Sequence, residues 1–395
     1  MKNMKIILRR KTIRFLCRVA VGLLSLALVC GSALPLIRTD VWWIRIFDFP
    51  RIQIAVLIVL MFLAYVALRV FGRLRPLEYM LIVLLILALT WQIILIAPYT
   101  AIYPKELVDS EDENDLNRIS LLVYNVLAEN QKVEPLLDLI SEIDPDVILL
   151  SEPNQWWLDQ LDALEDAYPY TILQPQENQY GMLLYSRLEL VNTEIRFLIE
   201  PEIPSLRTQI RLRSGTLITL YGMHPRPPGL IRRDNEHNVK GDVYEDQNIE
   251  ETEEGEREDS DLRDAELMVV AKEIQKNEEN PVIVAGDFND VAWSYTTHLF
   301  QRIAGLLDPR VGRGLFTTFD TRSRLMRYPL DHVFASEHFM LFDLQRLPDI
   351  GSDHFPLLVV LDFDPDASAV NDEPQSDAED KKEANEAIDK VKSND

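Results

Sequence analysis

Three long uncharged runs constrain the fold of this chain more than any other feature of its sequence. They lie within the first 103 residues, at Val19–Ile37, Ile52–Leu68 and Tyr79–Tyr103. A helix needs about 20 apolar residues to cross the hydrocarbon core of a bilayer, and helices in soluble cores seldom carry runs this long. Aromatic residues near the run ends suit a membrane interface. The pattern predicts a membrane module in residues 1–103, with three transmembrane helices over about 15–37, 52–71 and 79–103.

Basic residues predict the orientation of this module. Seven Lys and Arg residues precede the first run, and Arg69, Arg73 and Arg75 lie in the second loop. Positively charged loops stay in the cytoplasm, so three crossings place everything after Tyr103 on the outer side. We expect an integral protein of the plasma (inner) membrane with an extracytoplasmic catalytic domain. Alternatively, the first run is a signal peptide cleaved after Ala33, which leaves the side unchanged.

Charge is divided unevenly between the two parts of the chain. Residues 1–103 carry 13 Lys/Arg and 3 Asp/Glu, a net of +10, and the whole chain is −24, so residues 104–395 carry −34. Such an acidic body repels polyanions, and no long-range electrostatic attraction favours nucleic acid. Both cysteines, Cys17 and Cys30, lie in the apolar segment. The remainder therefore contains no disulfide, which leaves the redox compartment undecided.

Acidic segments divide the part that follows the membrane module. Residues 104–117 read as an acidic linker, and residues 118–361 as an α/β domain with alternating strand and helix patterns. Residues 234–261 hold 13 Asp/Glu and 2 Lys/Arg, which predicts a disordered loop insertion within that domain. The tail, residues 362–395, holds 12 Asp/Glu and 4 Lys and is also predicted to be disordered.

The stretch VIVAGDFND, Val282 to Asp290, carries the strongest functional signal. Its apolar run ends at a glycine and predicts a buried strand. Polar residues then follow at the carboxyl end, where α/β sheets form their ligand sites. Asp287 and Asn289 are two residues apart, so in extended backbone they face the same way, and Phe288 turns into the core.

Five further polar clusters occur along the chain, most of them at the end of or inside an apolar, strand-like run. They are Tyr124-Asn125, Ser151-Glu152, His224-Pro225, Asp331-His332 and Ser352-Asp353-His354. Each cluster alone is weak evidence, because polar residues after a strand often serve only the turn. The carboxylates and amides among them are oxygen ligands of the kind that hard cations such as Mg²⁺ take.

Together and in this order, the six clusters resemble the endonuclease/exonuclease/phosphatase superfamily of metal-dependent hydrolases. The resemblance covers about residues 118–361 and includes the segment YGMLLYSR, Tyr180–Arg187. It implies a deoxyribonuclease-like fold, an α/β (α+β) four-layer β-sandwich, after the three-helix transmembrane module. It also implies Mg²⁺ or Mn²⁺ as the cofactor and a phosphoester as the substrate.

The resemblance also implies a role for each matched residue. The positions that match the family's metal-side residues are Asn125, Glu152 and Asp353. The positions that match its catalytic residues are His224, Asp287, Asn289, Asp331 and His354. In the family pattern, Asp287 and Asn289 orient the attacking water and the phosphate, and Asp331 fixes the tautomer of His354.

Two departures from the family pattern concern substrate recognition. Thr318-Phe319 stands where the family often has Thr-Trp, and the acidic insertion is longer than usual. Five arginines precede Asp331 and could bind a substrate phosphate or a lipid headgroup, or simply balance neighbouring acids. They are Arg310, Arg313, Arg322, Arg324 and Arg327.

Three functions of different kinds fit these observations. The favoured one is a membrane-anchored phosphodiesterase or phosphatase that acts outside the cytoplasm on a lipid or small phosphoester. The second is a membrane-tethered nuclease, which family precedent supports and the charge opposes. The third is a catalytically silent membrane scaffold, which the completeness of the site opposes. Contact with the lipid bilayer through three helices is expected in each case.

Overall fold

A computed structural model describes residues 2–70, 72–111, 115–229, 259–277 and 281–393. Of the acidic insertion predicted over 234–261, residues 234–258 lie outside this part of the chain. Within it, three apolar helices precede two sheets with helices on their outer faces. This arrangement confirms the predicted fold class of a three-helix module followed by a deoxyribonuclease-like sandwich.

The N-terminal helices are α1 (Lys2–Ala33), the short α2 (Trp42–Arg45), α3 (Arg51–Val70) and α4 (Pro76–Ile96). The stretches Thr12–Leu36, Arg51–Val70 and Pro76–Tyr99 are long and apolar enough to cross a membrane, which suggests membrane association. They pack on one another around Ile58, Tyr65 and Leu85.

The observed helix bounds differ from the predicted 15–37, 52–71 and 79–103 for local reasons. Pro76 begins α4 three residues early because proline suits the first helical turn. Glu78 Oε2 accepts from the Arg75 amide at 2.7 Å and caps the helix start. The regular helix α4 ends at Ile96, just before Pro98, and a short 3₁₀ turn follows.

The two sheets contain eleven strands. The strands in chain order are β1 (Arg118–Asn125), β2 (Val147–Ser151), β3 (Tyr170–Gln174), β4 (Met182–Ser186), β5 (Leu190–Arg196), β6 (Ser205–Arg211), β7 (Leu217–Gly222), β8 (Val282–Asp287), β9 (Asp331–Ala335), β10 (Phe339–Arg346) and β11 (Leu357–Phe363). The first sheet has the order β10-β11-β1-β2-β4-β3, and the second β5-β6-β7-β8-β9. Each sheet contains one parallel pair, β1 with β2 and β7 with β8.

Helices cover the outer faces of both sheets. The remaining helices are α5 (Glu134–Ile143), α6 (Gln155–Gln160), α7 (Asp261–Gln275), α8 (Tyr295–Ala304) and α9 (Ala378–Lys392). The two sheets bury their inner faces against each other in one apolar core. A second core lies between the first sheet and α5 and α6, and a third lies between the second sheet and α7, α8 and α9. The result is four layers: helices, sheet, sheet and helices.

The prediction of a disordered tail is wrong, because α9 occupies residues 378–392 and packs against α7 and α8. Ala384, Ile388 and Val391 are buried. Their spacing of four and three residues places them on one helix face. Asp377 caps the helix start by accepting from the amides of residues 379 and 380. The many acidic residues lie on the remaining faces and masked this pattern.

The N-terminal module is attached to the α/β domain by polar and apolar contacts. Trp293 Nε1 donates to the carbonyl of Asp48 at 2.7 Å, and the Tyr99 hydroxyl donates to the carbonyl of Ala292 at 2.7 Å. Trp293 and Tyr99 are both buried in one apolar cluster. The predicted linker also lies against the sheets, with Leu107 in the core between them. The ends of α3 and α4 therefore lie directly beside the segment that follows β8.

Candidate active site

The carboxyl ends of the two parallel strand pairs meet at one edge of the sandwich. Asn125 ends β1, Glu152 follows β2, His224 lies two residues after β7, and Asp287 ends β8. Asp331 begins β9 and pairs in register with Asp287. Polar side chains from both sheets therefore converge at the edge where strand-end chemistry was predicted.

Asn125 joins two acidic side chains. Its Nδ2 donates to Glu152 Oε1 at 2.7 Å and to Asp287 Oδ2 at 3.1 Å. Its Oδ1 accepts from the Leu127 amide at 3.0 Å, so the orientation of the side chain is fixed. Burial raises the pKa of Glu152 to about 8, and burial also raises the pKa of Asp287. Two carboxylates so close together are costly to keep charged at a site shielded from water.

Left-handed backbone surrounds this edge. Leu127, Glu152 and Asn289 have φ values of 59°, 65° and 51°, which are uncommon for residues with a side chain. Gly181 holds Glu152 in place, because its carbonyl accepts from the Glu152 amide at 2.9 Å. A Cβ at Gly181 would come within 1.9 Å of the Pro153 carbonyl oxygen. Strain of this kind collects at functional sites.

His354 and Asp331 form a dyad. The Asp331 carboxylate lies 2.7 Å from His354 Nδ1, and His354 Nε2 lies 3.5 Å from Asp287 Oδ2. Burial alone would lower the pKa of His354, but the carboxylates of Asp331 and Asp287 raise it well above its usual range. His354 is therefore a cation whose Nδ1 is held by Asp331 and whose Nε2 faces the acidic cluster.

His224 approaches the same cluster from the second sheet. Its Nε2 lies 3.8 Å from Glu152 Oε1 and 4.0 Å from Asp287 Oδ2. Burial and the nearby charge of His354 lower its pKa to about 4, so this ring is neutral. Its buried Nδ1 has no hydrogen-bond partner among the described residues.

Asn289 connects the ends of β7 and β8. Its Nδ2 donates to the Pro225 carbonyl at 3.0 Å, and its amide donates to Asp287 Oδ1 at 2.9 Å. A side-chain amide nitrogen carries two hydrogens, so one remains for a ligand. The two-residue spacing from Asp287 was expected to place the side chains on one face. Left-handed backbone at Asn289 replaces that extended geometry and turns the Asn289 amide towards the Asp287 carboxylate.

Asp353 lies at the edge of the cluster, where its charge still acts on Glu152 and His354. Its Oδ2 lies 3.3 Å from Arg322 Nη2, at an exposed pair beside a cleft of about 510 Å³. The described residues contain two groups suited to hold a metal ion, Glu152-His224-Asp287 and Asp287-Asp331-His354. Asp353 belongs to neither group, so its metal role stays a prediction.

The residues present fit a hard divalent cation. In the first group, Glu152 and Asp287 offer carboxylate oxygens, which are the ligands that Mg²⁺ and Mn²⁺ prefer. His354 of the second group is protonated and cannot ligate an ion. Burial raises the pKa of Glu152 because an ionised carboxylate is poorly solvated there. A divalent cation beside it would offset that cost and favour the ionised form. The identity of the ion stays a prediction.

Asp290, the residue after Asn289, belongs to a separate buried network. It is buried, with its Oδ2 3.2 Å from Arg263 Nη2 and 3.5 Å from Arg45 Nη2. Its Oδ2 also accepts from the Ser294 hydroxyl at 2.6 Å. Asp290 thus links the catalytic segment to α2 of the N-terminal module. The sequence carried no local signal for this contact, because Arg45 lies 245 residues away.

The arginines before Asp331 separate into two groups. Arg310 is buried between Asp308 and His332, and Arg313 pairs with Asp109. These two arginines balance neighbouring acidic side chains and stabilise the fold, which was the alternative to phosphate binding. Arg322 and Arg324 are exposed near the cleft. Phe319 forms a wall of the site, because its ring centroid lies 5.0 Å from that of His354. The sequence did not predict this contact, although Thr318-Phe319 was noted as a departure from the family's Thr-Trp pair.

The sequence model of the Endonuclease/Exonuclease/phosphatase family matches residues 122–354, which is more than half of the chain. The chain belongs to this family. The matched segment begins in β1 and ends at His354, and it therefore includes every converging side chain described above. Members of the family hydrolyse phosphoesters. No curated protein is similar enough in sequence to be matched to this chain.

Several solved structures are similar to this family member. The Danio rerio TDP2 complexed with single-strand DNA product is 18% identical, with 62% of this chain and 99% of that chain covered and a TM-score of 0.44. The human Nocturnin catalytic domain with bound sulfate is 17% identical, with 66% and 97% covered and a TM-score of 0.46. The endonuclease/exonuclease/phosphatase from Bacteroides vulgatus is 13% identical, with 62% and 99% covered and a TM-score of 0.46.

Proposed function

We propose that this chain is a membrane-anchored, Mg²⁺- or Mn²⁺-dependent phosphoester hydrolase that acts outside the cytoplasm on a lipid or small phosphoester. One observation carries the proposal. The side chains of Glu152, Asp287 and His354 converge in a family member whose segment after β8 packs against the start of α3 and the end of α4. A silent scaffold has no need of strained backbone and buried carboxylates at one edge.

The side chains divide the work of hydrolysis between them. Asp287 orients a water molecule and takes its proton as the water oxygen bonds to phosphorus and the ester P–O bond breaks. The leaving oxygen departs with the bonding electron pair and takes a proton from solvent. The raised pKa of Asp287 suits a base that works near neutral pH. His354, held as a cation by Asp331, donates from Nε2 to a phosphoryl oxygen, and the second hydrogen of Asn289 Nδ2 donates to another. The neutral ring of His224 can donate or accept a hydrogen bond beside Glu152.

Glu152 and Asn125 are the residues we propose to hold the cation, with Asp353 as an outer contributor. When bound, the cation neutralises negative charge on the phosphoryl group. Glu152 would contribute a carboxylate oxygen, and Asn125 the second lone pair of its Oδ1.

Charge and attachment favour a lipid or small phosphoester over nucleic acid. The segment after residue 103 carries −34 against +10 before it, so a polyanion meets repulsion from the domain that would cleave it. A membrane attachment brings the site close to lipid headgroups. Nucleases within the family keep nucleic acid as the second candidate.

A substrate panel on the full-length protein in detergent tests this proposal. The panel contains phospholipids, sphingomyelin, inositol phosphates, single- and double-stranded DNA, and RNA, each with Mg²⁺, with Mn²⁺ and with EDTA. We expect metal-dependent release from a lipid or small phosphoester and weak cleavage of long DNA. Efficient cleavage of duplex DNA at physiological salt would favour the nuclease instead, and no turnover of any substrate would refute a hydrolase.

A further inference from the structure

One loop combines exposed apolar and basic side chains beside the active site. We name residues 320–327 the arginine loop. It carries Leu325 and Met326, which are 81% and 48% exposed, next to Arg322 and Arg324. Single exposed apolar residues are ordinary. Two adjacent ones among exposed arginines resemble the composition of segments that lie in a membrane interface.

The arginine loop is tied to the end of α3. Gln53 Nε2 donates to the Leu325 carbonyl at 2.6 Å, and the Phe49 ring packs edge-on against Tyr328 with centroids 5.5 Å apart. Gln53 is the third residue of α3, so it lies about 3 Å along the helix from its start. The headgroup layer on each side of a bilayer is about 5–7 Å thick. If α3 crosses the membrane, Leu325 lies at headgroup level on whichever side holds the domain.

The arginine loop also lines a cleft that lies beside the active site, where Ser352 and Asp353 directly precede His354. Arg322 Nη2 lies 3.3 Å from Asp353 Oδ2, and the Thr321 amide donates to the Asp353 carbonyl at 2.9 Å. The cleft of about 510 Å³ is lined by Thr321, Arg322 and Asp353 among others. One side of the loop therefore faces the site, while Leu325 and Met326 point into solvent.

Charge distinguishes lipid from other occupants of this surface. The side chain of Arg322 is 66% exposed although it pairs with Asp320. Arg324 is exposed and forms no ion pair with any residue that the structure describes. An acidic body would be repelled by anionic lipid headgroups, but local arginines attract their phosphates. Two exposed apolar side chains that follow two exposed arginines match the apolar and anionic layers of a phospholipid surface.

We propose that the arginine loop binds the surface of the bilayer in which the protein is anchored, and that the substrate is a phosphoester lipid of that same leaflet. Leu325 and Met326 enter the interface, and Arg322 and Arg324 bind lipid phosphates at the entrance to the cleft. The lipid headgroup then reaches the acidic cluster without leaving the membrane surface. This inference rests on the proposed function for its substrate, and on the geometry of the loop for its membrane contact.

Comparing two substrates in nanodiscs tests the catalytic part. Full-length protein is given phosphatidylcholine and phosphatidylglycerol in the disc, or water-soluble bis(p-nitrophenyl) phosphate, with Mg²⁺ or Mn²⁺. For the double variant Leu325→Ser/Met326→Ser, we expect the ratio of lipid to soluble turnover to fall about tenfold, since burial of one apolar side chain is worth at least that much. Tyr170→Ser is the matched control, because Tyr170 is exposed at the opposite end of the first sheet, level with the start of β2.

The outcomes separate the two proposals. An unchanged ratio in the double variant would overturn the role of the loop and leave the hydrolase intact. Hydrolysis of the soluble ester without any lipid turnover by the unmodified protein would overturn the lipid substrate. Turnover of neither substrate would refute the hydrolase, and the contact of the loop with the membrane is then decided by a measurement that does not depend on catalysis.

Environment-sensitive fluorescence supplies that measurement. Leu325→Cys or Tyr170→Cys is introduced in a chain with Cys17→Ser and Cys30→Ser, and the new thiol is labelled with a nitrobenzoxadiazole dye. We expect a blue-shifted emission and quenching by lipid-attached nitroxide at position 325 but not at 170. Absence of quenching at 325 would overturn the membrane contact. A blue shift without lipid quenching would mean that a second copy of the chain covers the loop, which also overturns it.

Discussion

Asp287 lies where the hydrogen bonds of the site converge. Asn125, the Asn289 amide and His354 all approach its carboxylate, within 3.1, 2.9 and 3.5 Å. Its place at the end of β8 also brings its Oδ2 within 4.0 Å of Nε2 of His224, which follows β7. Substitutions of Asp287 and of the residues that hold its neighbours should therefore have different effects.

Asp287→Asn keeps the shape of the side chain and removes the base. We expect kcat to fall by ~10²-fold or more, as the loss of a positioned acid–base group does. Asp331→Asn should be milder, because Asp331 acts through His354. The check is steady-state kinetics on the substrate that the panel identifies. Asp138→Asn, the same chemical change on the exposed face of α5, is the control and should leave kcat unchanged.

Glu152→Gln tests the cation-binding role. The change removes a negative ligand, so we expect the Mg²⁺ concentration for half-maximal activity to rise, and kcat to recover partly at high Mg²⁺. Metal titrations of activity measure this shift. Equal loss of activity at every Mg²⁺ concentration would show that Glu152 serves the chemistry and not ion affinity.

Asp290 illustrates how a neighbouring acid can have an unrelated role. Asp290→Asn leaves Arg263 and Arg45 buried with less compensating charge. Breaking a buried ion pair costs about 3–5 kcal/mol, so we expect a lower apparent Tm in thermal unfolding of the detergent-solubilised protein. Asp264→Asn, which removes an acidic partner of Arg263 that is more exposed than Asp290, should lower the Tm less. If Asp290→Asn lowers kcat ~10²-fold at unchanged Tm, Asp290 belongs to the chemistry.

At the scale of single elements, helix α7 holds a buried acid that makes stability depend on pH. Glu266 is 2% exposed, and its Oε1 has no hydrogen-bond partner among the described residues. Burial and the charge of Glu200 raise its pKa to about 8, although Arg196 acts in the opposite direction. The folded protein therefore binds a proton at Glu266 over a range in which the unfolded chain has lost it.

The sign of this dependence follows from proton binding. Stability from protonated Glu266 is fully present below the unfolded pKa of about 4.3 and is lost as the pH rises towards about 8. Glu266→Gln removes the titration. We expect the variant to gain Tm relative to the unmodified protein between pH 5 and pH 8, by an amount on the order of a few kcal/mol in stability. Thermal unfolding at pH 5, 6.5 and 8 measures this gain in Tm. Glu134→Gln, the same change at an exposed position of α5, is the control.

The elements of the sandwich were largely predictable, and the reasons are local. Runs such as Val147–Ser151 and Val282–Asp287 are apolar and end at polar residues, so strand, boundary and site edge are all read from one short segment. Helix α9 was not predicted, because its acidic composition outweighed three buried residues spaced four and three apart. Composition reports the solvated faces of a helix, whereas spacing reports its buried face.

Within the site, the clusters whose side chains depend on strand position were predicted, and those that depend on loop conformation were not. The convergence of Asn125, Glu152 and Asp287 follows from strand ends, whereas the Asp331–His354 pair was implied by the family resemblance. Asp353 follows a glycine with φ 118° at Gly351, and its side chain turns towards Arg322. The pairing of Asp290 with Arg45 joins parts of the chain that only tertiary packing brings together.

At the scale of the whole molecule, the N-terminal module and the catalytic part share one interface. A fragment that begins at residue 104 and ends at residue 361 would expose the cluster around Trp293 and would lack α9. Such a fragment would also lose Arg45 from the Asp290 network. The full chain is therefore the unit on which activity and stability are measured.

The side of the membrane on which this interface lies is the last expectation to test. In the structure, the catalytic part contacts the first loop and the end of α4, and the second loop lies at the other end of the helices. Basic residues Arg69, Arg73 and Arg75 predict that the second loop is cytoplasmic. One reporter is a phosphatase that is active only outside the cytoplasm. It should be active when fused after Asp395 and silent when fused after Arg73. A fluorescent reporter that matures only in the cytoplasm should give the opposite pattern. If the phosphatase is active after Arg73 and silent after Asp395, the protein faces the cytoplasm, and the lipid that reaches the arginine loop is one of the inner leaflet.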